Sequence, residues 1–62
     1  MQGNGLAKTY VFSSKRLTFQ VVTNDEGVIT EIAPVGKRFI GQPLTNLRHW
    51  MMRQGGFREK KI

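Results

Sequence analysis

The apolar and polar positions of this chain split it into a strand-forming first half and a helix-forming second half. Thr9–Phe12, TYVF, is β-branched and aromatic, with Tyr10 and Phe12 on one side and Val11 on the other. Leu17–Thr23, LTFQVVT, is the clearest strand, because Leu17, Phe19 and Val21 alternate with Thr18, Gln20 and Val22. Between them, Ser13–Arg16 reads as a polar turn. After the second strand comes Asn24-Asp25-Glu26-Gly27. Asn and Asp side chains fold back onto local backbone, and a glycine that closes a type I turn in the left-handed region makes a bulged hairpin. Val28–Ile32, VITEI, then returns as the partner strand, with Ile29 on the face of Phe19 and Val21. The first strand adds on the Leu17 side, which predicts a three-stranded antiparallel meander with Thr9–Phe12 at one edge.

Pro34 ends the sheet, since proline donates nothing to a ladder. Val35, Phe39 and Ile40 then stand at i, i+4 and i+5. That spacing suits one or two helical turns between Pro34 and Gly41, and Gly36 weakens it by about 1 kcal/mol. The competing reading is an irregular loop that pins Phe39 on the core. Pro43–Gln54, PLTNLRHWMMRQ, is the strongest helix. At about 100° per residue, Leu44, Leu47, Trp50, Met51 and Gln54 fall within an arc of roughly 120°. Pro43 suits the first helical position and Gly55 the left-handed position past the last turn. Gln42 caps poorly, and Thr45 as the cap would move the start by two residues.

The predicted fold class is therefore α+β, a three-stranded antiparallel meander packed by one C-terminal helix, with a short helical turn before it favoured. The predicted core is Tyr10, Phe12, Leu17, Phe19, Val21, Ile29, Phe39, Ile40, Leu44, Leu47, Trp50 and Met51. One small domain over 1–62 is expected, with 1–6 and 56–62 flexible because neither carries a usable pattern. A chain of 62 residues buries only about 60% of its unfolded surface. It has no cysteine, so disulfides cannot supplement the core, and a reducing, cytoplasmic setting fits. No apolar run approaches the roughly 18 residues that cross a bilayer, and the N-terminus is no secretory signal. No membrane partner is expected. Size alone would suit the short accessory proteins of mobile elements.

Charge adds what periodicity cannot. Ten Lys and Arg stand against four Asp and Glu, a net +6. The excess follows the helix: Arg48, Arg53, Arg58, Lys60 and Lys61 face only Glu59 after Leu44. Catalytic motifs are missing, and the adjacent acids Asp25 and Glu26 lie in a turn too exposed to raise a carboxylate pKa. His49 has no acid near it in sequence. The expectation is a non-enzymatic binding protein without cofactor or metal. Arg48, His49 and Arg53 share the polar side of the helix, flanked by Lys37, Arg38, Arg58, Lys60 and Lys61, and such a cluster binds phosphates in a salt-dependent way. Lys15 and Arg16 add a rim. The first expectation is therefore nucleic acid, DNA or RNA, on that face. The alternative is a protein-interaction module, a small regulator or inhibitor that binds an acidic or apolar patch, with Met52 as an adaptable contact. A homodimer through the Thr9–Phe12 edge suits either reading.

Overall fold

The computed structural model describes residues 7–62; the expectation for 1–6 lies outside the described residues. Among the described residues, four strands and two helical segments follow in the order β1 (Lys8–Ser13), β2 (Thr18–Thr23), β3 (Ile29–Ile32), a 3-10 helix (Pro34–Phe39), α1 (Leu44–Arg53) and β4 (Arg58–Lys61). The strands form one antiparallel sheet in the order β3-β2-β1-β4. The fold is α+β, but the meander has a fourth strand. Arg58–Lys61, where the sequence predicts a tail, pairs with β1 from Ser13–Arg58 to Tyr10–Lys61. Nothing local in Arg-Glu-Lys-Lys favours a strand. The pairing comes from its neighbours: Phe57 stacks on Phe12 at 5.3 Å, and Phe12 stacks on Phe19 at 5.9 Å. The backbone beyond Phe57 is then delivered to β1, whose outer N–H and C=O groups need partners.

β1 is consequently an interior strand, so the edge that the sequence offered for self-pairing is occupied. The β3 edge is sealed in part as well. Ile29 N–H donates to Gln42 O, and Gly41 N–H donates to Ile29 O, both at 2.8 Å. The remaining edge belongs to β4, and its four residues are all exposed and charged, a composition that discourages further strand pairing.

The hairpin forms as its sequence dictates. Asn24 Oδ1 accepts from the N–H groups of Glu26 and Val28 at 2.9 and 3.0 Å. Gly27 takes the left-handed conformation with φ 82°. This turn also seats the helix, because Leu44 N–H donates to Gly27 O at 2.8 Å and Val28 bridges to Pro43. Pro43 has φ −67° and ψ 147°. It is thus the cap rather than the first helical residue, and no side chain caps the start.

Leu44, Leu47 and Met51 of α1 are buried against Phe12, Phe19, Val21 and Ile29 of the sheet, with Phe39 closing one side. Tyr10, Leu17, Ile32, Ala33, Trp50 and Phe57 pack around this core while staying partly exposed. Ile40 departs from expectation at 49% exposed. The 3-10 helix stops at Phe39, and Ile40 is extended with ψ 130°, so consecutive side chains diverge and only Phe39 reaches the core. Gly36 is buried, and an added Cβ there would overlap Ile32 Cδ1. That close approach explains a glycine inside a helical segment. The far face of the sheet carries Thr9, Val11, Ser13 and Val22, all half-buried, beside the exposed Thr18, Gln20, Arg58 and Lys60.

Candidate nucleic-acid interface

The helix places its charged side chains on two flanks that do different things. On the β4 flank, Arg48 grips Glu59. Its Nε and Nη2 donate to Oε1 and Oε2 at 2.8 and 2.7 Å, a fork-on-fork pair. The hydrogen bonds to Glu59 raise the Arg48 pKa above its ordinary value, against a smaller opposing effect of burial. This arginine is therefore neutralised and held, not presented free. The sequence could not show it, because the partners are eleven residues apart and meet only once β4 has formed. Met52 lies near this flank at 65% exposed. Arg58 and Lys60 stand on the far face of the sheet, while Lys61 shares the Tyr10 side.

The other flank gathers five cations that form no ion pair among the described residues. Trp50 sits at the margin of the apolar arc, and that position leaves its ring half-buried, packed on Phe39 at 5.8 Å. The Arg38 guanidinium lies 5.2 Å from the Phe39 ring centre and 5.6 Å from that of Trp50, within cation–π range. Three shallow depressions meet at Trp50. One, about 500 Å³, runs between the Ser14–Leu17 turn and the end of α1, past Lys15, Arg16 and Arg53. A second lies against Pro34, Val35, Lys37 and Arg38. The third follows the ridge of Asn46, His49 and Arg53, facing Arg38 and Gln42. Together they are lined by Lys15, Arg16, Lys37, Arg38 and Arg53, and by no carboxylate.

Half of the ten Lys and Arg residues thus surround one aromatic ring. Of the residues predicted from sequence, Lys37, Arg38, His49 and Arg53 come together here. Arg48, Met52, Arg58, Lys60 and Lys61 do not. Lys15 and Arg16, given only a rim in the sequence reading, are part of the wall. Trp50, assigned by periodicity to the core, forms the centre. The usable signal was its place at the edge of the stripe, one turn before Arg53.

The local electrostatics favour an anion. The C-terminal end of a helix carries partial negative charge, which holds Arg53 and the nearby Lys15 and Arg16 comfortably. A free phosphate or carboxylate would meet several donors with no competing acid. His49 is exposed and has no carboxylate among the residues lining its depression, so nothing there orients it as a base. Among the described residues, no three His, Cys, Asp or Glu side chains cluster in a way that could hold a metal ion. Among them, too, no helix is long and apolar enough to cross a membrane. No family model matches the chain, and no curated protein or solved structure matches it either.

Proposed function

We propose that this chain is a small basic, non-enzymatic protein of the cytoplasm that binds nucleic acid on the cationic rim around Trp50. The observation that carries this reading is the five-cation surface without a carboxylate, on a protein of net charge +6. A cation that neutralises a phosphate releases a condensed counterion, so such a rim gains affinity from entropy and loses it as salt rises. Asn46 and Gln42, already hydrogen-bonded to each other at 2.8 Å, add polar groups that can reach phosphate or sugar.

The test is a salt series on immobilised DNA and RNA, set beside a cation-exchange resin of similar charge density. Retention on nucleic acid should exceed that on the resin, and Arg53→Ala combined with Lys15→Ala should weaken it and flatten the salt slope. Equal retention on both supports would sink the reading.

A second reading, a module for an acidic protein partner, draws on the exposed apolar side chains beside the charges. Val35 is 51% exposed between Pro34 and Lys37, and Met52 is 65% exposed. Capture of a partner that survives nuclease treatment, with no binding to nucleic acid, would favour it.

A further inference from the structure

The geometry points to single-stranded nucleic acid as the ligand class, with an unpaired base stacked at the Trp50–Arg38 pair and phosphates tracking the cations on either side. This rests on the nucleic-acid reading above and goes beyond it. The three depressions are continuous. The first and third share Trp50 and Arg53, and the second and third share Trp50 and Arg38. They make a bent track from the Lys15–Arg16 turn, past Arg53, Trp50 and Arg38, to Lys37. A track of cations with an aromatic ring at its middle is the surface that a flexible strand can follow, because each unstacked base offers a π-face while its backbone offers charge.

A duplex could use only part of this surface. Its phosphates would meet the outer cations, but its bases are stacked inward, out of reach of a ring lying in a depression. The half-buried Trp50 among these cations would then contribute nothing. The Arg38 guanidinium already lies 5.6 Å from the Trp50 ring centre. One planar cation therefore fits against this aromatic, and a base can stack on the guanidinium or take its place.

Trp50 is the only tryptophan in the chain, so its fluorescence reports the stack directly. The probes are an oligo-dT and an oligo-U of about fifteen nucleotides and a DNA duplex of equal length, titrated into the full chain at several salt concentrations. Both single strands should quench the emission and bind roughly tenfold tighter than the duplex, the effect of about one stacked base. The slope of log K against log salt should be no steeper than about −3.5, for five contacts at about 0.7 each. Trp50→Leu, checked for folding by its melting curve and followed through the anisotropy of end-labelled oligonucleotides because it has no tryptophan left, should lower single-strand affinity about tenfold while leaving duplex affinity where it was. Arg38→Ala changes an exposed residue, avoids the folding risk, and should lower affinity and flatten the slope by about 0.7 while quenching persists. Duplex binding as tight as single-strand binding, with emission unmoved, would overturn the stacking inference and leave the basic-rim reading standing. Failure of every oligonucleotide to bind above the resin control would remove both.

Discussion

Removing the charge of Glu59 should weaken the fold and strengthen nucleic-acid binding, two effects of opposite sign from one atom exchange. Arg48 and Glu59 form a bidentate pair with 42% and 23% of their side chains exposed. Exposed ion pairs contribute about 0.2–1 kcal/mol, and the double hydrogen bond on a half-sheltered carboxylate places this pair near the top of that range. A domain of this size has a total stability of roughly 3–9 kcal/mol at about 0.05–0.15 kcal/mol per residue. A loss of about 1 kcal/mol is then a shift of about 4–8 °C in melting temperature. The pair also ties α1 to β4, so the loss should appear first as opening of that strand.

The consequence for binding follows from the charge. The pair sums to zero, and Glu59→Gln leaves Arg48 with its charge uncompensated. If that arginine reaches a phosphate, one added contact on a single strand is worth about fivefold in affinity at 0.1 M salt, from a slope of about 0.7 per charge. Arg48→Ala removes both charge and grip, and it leaves Glu59 bare, so it should not imitate Arg53→Ala. The assay is a double-mutant cycle over Arg48→Ala, Glu59→Ala and the pair, melted at low and high salt, with affinity for an oligonucleotide measured on the same samples. A coupling energy of zero would refute the structural role. An affinity loss on Glu59→Gln would refute the claim that Arg48 is held out of the interface.

Two further predictions concern the fold. Thr23 is fully buried, and its Oγ1 has no hydrogen-bond partner among the described residues, so Thr23→Val should raise unfolding free energy by about 1–2 kcal/mol in a denaturant titration; a decrease would mean that the hydroxyl finds a partner in solution. Phe57→Ala should cost about 2 kcal/mol, less than a fully buried Phe because Phe57 is only half-covered. In that variant the Ile62 amide, bonded to Thr9 O, should lose exchange protection while the Ile29 amide, bonded to Gln42 O, keeps it; joint loss would mean that β4 is not a separable unit.

The parts of the fold that were legible are those whose cause is local. Asn24 and Gly27 carry the turn chemistry in their own side chain and backbone, so the hairpin followed directly. Leu44, Leu47 and Met51 mark a helical stripe that any amphipathic segment would show. β4 has no such cause. Its residues alternate in neither hydrophobicity nor β-propensity, and it is a strand because β1 needs a partner and Phe57 finds a slot beside Phe12. Ile40 was misplaced for a related reason: spacing alone cannot separate an α-turn from a 3-10 turn that ends one residue sooner. At the candidate site, the cations were all visible as residues. Which of them are free was not, since that depends on the contact between Arg48 and Glu59 made through β4.

Charge is also ordered along the helix axis. The Asn24–Gly27 turn, with Asp25 and Glu26, abuts the start of α1 through the bond from Leu44 to Gly27, where negative charge suits the helix dipole. The Ser14–Leu17 turn, with Lys15 and Arg16, shares a depression with the end of α1, where positive charge suits it. Each pair of turn residues therefore complements the helix terminus it lies beside, and the same arrangement sets Asp25 and Glu26 at one end of α1 and Lys15 and Arg16 at the other. In the field of a polyanion such a molecule is turned as it is drawn in, with the Trp50 rim leading and the hairpin tip trailing. Reversing the charge of the tip, by Asp25→Lys with Glu26→Lys, should thus speed association through added net charge yet lower the share of encounters that quench Trp50. Stopped-flow fluorescence beside a labelled-oligonucleotide anisotropy trace separates the two. Quenching that accelerates in step with anisotropy would show that Asp25 and Glu26 have no part in orienting the approach.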